Sequence, residues 1–401
     1  MKPIEVFEYA SLTVGQNGFT IDHLHLLTCF LRSNNEKIFP YYTLINNGVR
    51  FNSYVGLLSV GDLTIEVLPK VDKGNDNHDY WKKKLIRMLS VVYKLDVKAP
   101  TSASQHVRTN SSIFDVFIKR FLDEVEALLN RGLVKCYHKE EGNLKAMKGK
   151  LLVDKHLQKN FVHKERFYVQ YNTYDQEHVM NCILRQALVV ATRITQNIQL
   201  RGRAVTLLFN FPELHEVPVS RELFDNLRFD RKTDDYQDGI KLAKLLLLNF
   251  VPDLVAGKVN ALALMFDMNK LWEEYVFIML RKALRKDGYE VKEQVHKSFW
   301  HSKNGNKKII KPDIVIFHGS DMKFVLDTKW KCPDVVPSDG DLHQMFVYQQ
   351  MFDVKKVALV YPMADNGTNY ISKEGFFETG SPCDMLFFPV EMNFSLKPYL
   401  I

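Results

Sequence analysis

The stretch from about residue 307 to 362 constrains this fold more than any other. It holds two short apolar runs, IIKPDIVIF and FVLDTKW, joined by HGSDMK, which is long enough to turn the chain back on itself. A helix-patterned DLHQMFVYQQMF follows, and then KVALVYP, an unbroken apolar run of the buried-strand type. Upstream, MNKLWEEYVFIMLRKALRK repeats its apolar residues at helical spacing and leads into a strand-like GYEVKEQV. Strands alternating with helices at both ends predict a mixed α/β domain over residues 259–401.

Both apolar runs carry charges that a plain buried strand would avoid. Strand side chains alternate faces, so Val325, Asp327 and Lys329 share one side of FVLDTKW, with the two charges roughly 6 to 7 Å apart. Asp313, after Pro312, opens the neighbouring run, and a hairpin sets it across from the Asp327 end of its partner. Two carboxylates and an ammonium then converge at one rim of a sheet. That grouping suits divalent-metal hydrolysis of phosphodiesters, because Mg2+ prefers hard carboxylate oxygens and keeps waters that can attack. Lys329 would orient or deprotonate the water and offset charge building on the phosphorus centre. The plainer reading is a salt bridge of Asp313 or Asp327 with Lys329, which any hairpin end can offer.

The remainder reads differently. Residues 38–71 contain YYTLI, VRF, YVGLLSV and LTIEVLP, punctuated by Asn46-Asn47-Gly48 and Gly61-Asp62, which are hairpin signals. Residues 79–95, 111–132, 178–198 and 236–250 carry helical periodicity. The chain thus divides into a β-rich region over 1–75, a mainly helical middle over 76–258 and the α/β domain over 259–401, an α+β multidomain protein without internal repeats. A length of 401 residues with 46% hydrophobic and 25% charged residues predicts a soluble globular chain. No apolar run approaches a membrane span, and MKPIEVFEYASLTVG lacks the layout of a signal peptide, so a cytoplasmic location is expected. Cys29, Cys136, Cys182, Cys332 and Cys383 are scattered and form no CxxC pair, which argues for reduced thiols over a disulfide framework or a zinc site. The net charge of +7 gathers at the N-terminal end, with 21 Lys+Arg against 16 Asp+Glu in residues 1–150. Such a surface suits nucleic acid or an acidic partner, or is simply a solvated face.

Pro-Asp, then Asp-Thr-Lys after an intervening 13 residues, resembles the PD-(D/E)xK nuclease motif. In that superfamily a Glu on the preceding helix commonly joins the metal site. Glu273, directly after Trp272, stands where that acidic residue belongs, with Glu274 its close rival. Gln344 and Tyr348, four apart and so on one helix face, resemble the Gln-x-x-x-Tyr element of RecB-like nucleases, which lies beside the metal and near the DNA backbone. VGLLSVGDLTIEVLPKVD (55–72), MKGKLLVDKHL (147–157), the Asn181-containing MNCILRQAL and the nuclease region resemble, in that order, the McrC subunits of McrBC modification-dependent restriction systems, a phage-defence family. The resemblance spans roughly residues 40–365.

It implies an endonuclease subunit of a GTP-dependent complex directed at modified cytosine in double-stranded DNA. Asp313, Asp327 and Glu273 would hold Mg2+, or Mn2+ in its place, and Lys329, Gln344 and Tyr348 would complete the site. It further implies a partner, an McrB-like AAA+ GTPase ring whose hydrolysis the subunit stimulates through a β-rich finger. The strands around 41–68 would be that stiff β projection. The chain has no GxxxxGK[ST] phosphate loop of its own, in keeping with this division of labour. Two other readings remain: a non-catalytic activator of a partner NTPase that keeps the nuclease fold as scaffold, and a self-sufficient nuclease with its own DNA reader.

Further candidates are structural. His23 and His25 sit among leucines two apart, a spacing that shares no helix face, and His296 precedes the nuclease strands. WKKKLIR (81–87) reads as a solvated helix face with lysine stems over apolar surface, or as a phosphate-binding stripe. No Gly-x-Ser-x-Gly or Cys/His pairing supports acyl chemistry.

Overall fold

The computed structural model describes residues 3–33, 40–71, 77–94, 113–195, 197–251, 260–293, 295–303, 305–333, 336–363 and 371–390. The chain forms two compact units, one of residues 1–113 with 251–401 and one of residues 114–250. This division differs from the segments 1–75, 76–258 and 259–401 read from local pattern, because one sheet recruits strands from both ends of the chain.

In the first unit the strand Tyr54–Val60 lies between Leu63–Leu68 and Ala261–Asp267, antiparallel to both, and Ile4–Phe7 runs parallel to Leu63–Leu68 at the edge. The Gly61-Asp62 turn closes the hairpin as its sequence predicts, pairing Val60 with Leu63. Gly56 has φ +136°, and a Cβ there would meet the Leu264 carbonyl oxygen at 2.2 Å, so only glycine allows the 261–267 strand to approach. Ser11–Thr13, Gly48–Phe51 and Tyr42–Ile45 form a small antiparallel sheet, and the helix Ile21–Ser33 contributes Leu27 and Phe30 to a core with Val49, Leu58 and Ile65. Strands 54–60 and 63–68 are therefore the middle of a sheet and largely buried, not a free-standing projection. Their near-continuous apolar runs fit a strand covered on both faces.

The second sheet of this unit has the order Tyr289–Glu293, Ile314–His318, Asp321–Thr328, Lys356–Pro362, Cys383–Phe388, Ile371–Lys373. Ile314–His318 and Asp321–Thr328 form the expected hairpin. The strands 321–328, 356–362 and 383–388 run parallel, and the helix Asp339–Phe352 makes the first crossover. Met345 and Tyr348 of that helix pack on Val315, Val325, Val357 and Leu359. The helix Met268–Leu284 packs on strand 321–328, and Trp272, fully buried, donates its indole N–H to the Val360 carbonyl at 3.3 Å. The helix His78–Val92 packs against helix 268–284. KPDIVIF does not continue IIK as one strand: Lys307–Ile310 pairs with Lys297–His301 in a separate ribbon, and the break falls at Pro312.

The second unit packs the helices Ile113–Arg131, Val179–Ile194, Ile198–Asn210 and Gln237–Leu248. Asn181 is fully buried and ties the unit together. Its amide donates to the carbonyls of Val134 (2.9 Å) and Gln176 (2.8 Å), and its oxygen accepts from the Tyr236 hydroxyl at 2.9 Å. The expectation of a mainly helical middle missed a β-ribbon. Cys136–Leu144 pairs with Phe167–Asp175 over nine residues, and Lys150–Leu151 adds a short third strand. Gly149 is required where that strand joins, because φ is +75° and a Cβ would lie 2.3 Å from the Gln170 carbonyl oxygen.

Candidate active site

The carboxyl end of strand 321–328 gathers the residues singled out by sequence. Asp327 is 1% exposed, and the Lys329 ammonium sits 2.6 Å from its Oδ2. Gln344, one helix away, bridges the two: its Nε2 donates to Asp327 Oδ1 at 3.1 Å and its Oε1 accepts from Lys329 Nζ at 3.1 Å. The same Nε2 donates to the Tyr348 hydroxyl at 2.8 Å, and that hydroxyl donates to the Lys311 carbonyl at 3.1 Å. Burial pushes the Tyr348 hydroxyl up to about 12, so it stays a donor. The four-residue spacing of Gln344 and Tyr348 thus fixes one amide between a carboxylate, an ammonium and a phenol. Asp313 faces the same end, where its Oδ2 accepts from the Thr328 amide (2.7 Å) and hydroxyl (2.8 Å).

Glu273 is half-buried on helix 268–284, whereas Glu274 is exposed. Burial raises the Glu273 carboxyl to about 7, helped by the charges of Asp313, Glu293 and Asp327 and opposed by Lys311. Glu274 acts instead on Tyr93, at the end of helix 78–92. Of the two rivals, Glu273 is therefore the one that feels the aspartates. Asp327 is likewise raised, by burial first and then by the charge of Asp313, against the pull of Lys329. Burial works to lower the Lys329 ammonium, but Asp327, Asp341 and Asp313 together hold it above its ordinary value, so it is a cation here.

Sequence reasoning missed several supports. Asp341, in the first turn of helix 339–352, pairs with Lys331 and lies 3.9 Å from Lys329. Glu8 is buried and accepts through Oε1 from the Trp330 indole at 2.8 Å and from the Lys70 amide at 2.9 Å. Trp330 packs on Trp272 at 5.5 Å between ring centres. A separation of 322 residues hid the Glu8 contact from any local pattern.

Three acidic side chains at one rim, two of them, Glu273 and Asp327, raised by burial and by the neighbouring carboxylates, are the donor set a hard divalent cation favours. The oxygens are not drawn fully together. Among the described residues the group whose ligand atoms all lie within 4.8 Å of one another is His138, Glu140 and Asp175 of the ribbon. A cation at Glu273, Asp313 and Asp327 fits with part of its shell made by water, which is how Mg2+ is usually held. His23 and His25 take no part; His23 faces Asp62 at 3.8 Å and His25 lies beside Cys29. His296 is exposed.

The fold and site thus define an α+β chain with an acidic rim at the carboxyl ends of a mixed sheet. A family model described as McrBC 5-methylcytosine restriction system component matches residues 49–362, and the chain belongs to that family. This bears out the resemblance carried by the sequence motifs. The structure resembles a chain of a refined half-complex from a tetradecameric assembly of Thermococcus gammatolerans McrB AAA+ hexamers with bound McrC. That match has a TM-score of 0.65, 20% identity, and covers 96% of this chain and 94% of that one. A chain of the cryo-EM structure of the Thermococcus gammatolerans McrBC complex matches with a TM-score of 0.50 and 22% identity, over 70% of this chain and 88% of that one. Comparison with curated proteins gave no match. Among the described residues no helix is long and apolar enough to cross a membrane.

Proposed function

We propose that this chain is the DNA-cleaving subunit of a GTP-driven restriction complex directed at modified cytosine. The observation that carries the reading is the convergence of Glu273, Asp313 and Asp327 with Lys329 at one sheet rim. A scaffold without chemistry would have no use for a buried aspartate that costs stability when ionised. Glu273, Asp313 and Asp327 would hold Mg2+ or Mn2+, which supplies Lewis-acid activation of the phosphodiester and of the attacking water. Lys329, kept cationic by its carboxylate neighbours, donates to the water or to the phosphoryl oxygens instead of taking a proton. Gln344 and Tyr348 keep the ammonium and Asp327 in register.

The relatives assemble with McrB AAA+ hexamers, and we extend that partnership to this chain. For the β element that meets the ring, the ribbon of residues 136–175 suits better than 41–68. Tyr137, Met147, Phe161 and Val162 on and around it are exposed, as are Lys145, Lys148 and Lys150. A hydrogen-bonded ribbon with apolar and basic side chains outward is stiff enough to seat on a partner without a large ordering cost.

The test is a pair of readouts on the assembled complex. Asp327→Ala should abolish divalent-ion-dependent cleavage of modified duplex DNA and leave stimulated GTP hydrolysis intact. Phe161→Asp with Val162→Asp should lose stimulated GTP hydrolysis, and with it the GTP-driven cleavage, while the acidic site keeps its affinity for divalent ion. Cleavage by Asp327→Ala at near wild-type rate sinks the assigned site, and unchanged GTP hydrolysis in the ribbon variant sinks the assigned contact.

A further inference from the structure

The N-terminal half of helix 78–92 departs from the solvated face expected for WKKKLIR. Lys82 is buried and committed: its ammonium lies 2.5 Å from Glu66 and 3.5 Å from Glu5. Tyr80, Lys83, Lys84 and Arg87 follow at spacings of three and four and so share another helix face. They line a cavity of about 510 Å³ together with Asn77, Asp79 and Val390, which among the described residues sets three cations against one carboxylate. Lys84 is only 7% exposed, donates to the Met363 carbonyl at 3.2 Å and lies over the Tyr80 ring at 4.6 Å. Lys83 is exposed and Arg87 half-exposed, so both are free of the packing that fixes Lys84 in place.

The position of this cavity gives it meaning. Met363 and Val390 stand just past the carboxyl ends of strands 356–362 and 383–388, which run parallel to the strand that carries Asp327. Thr328 is level with Val360, and Val360 with Leu386. At roughly 3.3 Å per residue and 4.8 Å per strand, the cavity lies on the order of 10 to 16 Å from the acidic rim, along the same edge. With a rise of about 3.4 Å per phosphate, that is a few nucleotides away along a bound strand. Ligands of sheets with parallel strands sit outside the carboxyl ends of those strands, and here that edge is acidic at one place and basic a few nucleotides further on.

We infer that the Lys83–Lys84–Arg87 cavity holds backbone phosphates of the DNA strand that runs past the acidic rim. The inference rests on the nuclease reading above and adds the path of the substrate. Arg87 suits a phosphate fork and Lys83 a point contact, while buried Lys84, held by the Met363 carbonyl and the Tyr80 ring, forms part of the cavity's wall. A free nucleotide shares the phosphate chemistry but would not need the cavity to align with the rim.

The test uses the full-length chain and a 20-base-pair duplex without divalent ion, its affinity measured by anisotropy at several salt concentrations. Lys83→Ala with Arg87→Ala should weaken binding on the order of 10- to 100-fold at low salt and flatten the slope of log K against log salt by about 2, since each phosphate contact contributes about 0.9. In metal, the partnered complex should show a raised KM with kcat retained. Lys282→Ala, an exposed lysine on helix 268–284, should keep the wild-type slope. Unchanged affinity and slope in the double variant overturn the inference, as does an equal loss in Lys282→Ala. Displacement of the duplex by free GTP in wild type but not in the variant assigns the cavity to a nucleotide and also overturns it. If Asp327→Ala still cleaves, the nuclease reading fails instead, whatever the duplex affinity does.

Discussion

Glu8 offers the sharpest check on the interior around the site. Its carboxyl is raised from an ordinary 4.5 to about 7, chiefly by burial and further by Asp267, although the Lys70 amide and the Trp330 indole pull it down. A raised acid is one that folding prefers protonated. The native chain therefore binds more protons than the unfolded one between those two values, and stability falls as pH rises through that window. Moving this carboxyl from 4.5 to about 7 corresponds to a loss of about 3 kcal/mol by pH 8.

Glu8→Gln isolates this contribution. Both hydrogen bonds end on Oε1, which the glutamine oxygen reproduces, while Oε2 has no partner. The new amide N–H2 takes that unpartnered place at a cost of about 1 kcal/mol. The variant should thus be about 2 kcal/mol more stable than wild type at pH 8.5, and equal or slightly weaker at pH 5. Urea unfolding of both proteins across that range, with hydrogen exchange of the Leu63–Leu68 amides as a local probe, measures the difference. A gap between wild type and variant that does not change with pH would refute the burial argument for Glu8.

Other outcomes follow from the same geometry. Glu273→Gln should slow cleavage and be partly rescued by raised Mg2+, whereas Glu274→Gln should leave cleavage unchanged; rates titrated against metal decide between them. Tyr348→Phe removes a hydroxyl that orients Gln344, and a loss on the order of 10-fold in kcat with substrate affinity intact is expected from single-turnover assays. Gly149→Ala forces a Cβ against the Gln170 carbonyl at a positive φ, so thermal unfolding of the ribbon unit should come several degrees earlier while cleavage chemistry is retained.

What could be read beforehand divides along physical lines. The hairpin of Asp313 and Asp327 was legible because turn length, strand alternation and a charged residue at each strand end all lie within about 20 residues. The Gln344 bridge was half legible: helical spacing gave its partnership with Tyr348, but only the sheet register brought Asp327 beneath it. The ribbon escaped because CYHKEEGNL places polar residues on both faces and so lacks the apolar alternation that marks a half-buried strand. The burial of Lys82 and Lys84 escaped because nothing local shows Glu66 or the Met363 carbonyl waiting for them. The pairing of Tyr54–Val60 with Ala261–Asp267 was hidden by distance along the chain, and with it the true extent of the first unit.

That pairing changes what a truncation can report. With residues 1–75 read as a separate partner-binding region, removing them should leave a folded nuclease. In the structure, all of the core that contains Leu27, Val49 and Ile65, except Ala261, Ala263 and Met265, comes from those residues. Their removal also deletes Glu8 from Trp330 and Glu66 from Lys82, leaving a buried indole N–H and a buried ammonium without their carboxylates. What the remaining chain loses is the cover over Ala261, Ala263 and Met265 and the strand Tyr54–Val60 that pairs with strand 261–267, against a net stability of only about 5–15 kcal/mol for a domain. A chain beginning at residue 76 should therefore be insoluble or molten, with near-UV circular dichroism lost and both DNA cleavage and GTPase stimulation absent together. By contrast, replacing residues 145–166 at the ribbon tip with a short Gly-Ser turn should leave the first unit folded, with its near-UV circular dichroism kept, while GTPase stimulation and the cleavage it drives are lost. A soluble, cooperatively unfolding fragment 76–401 would show that strand 261–267 finds its burial elsewhere, and the two-ended sheet would then not be the foundation of the site.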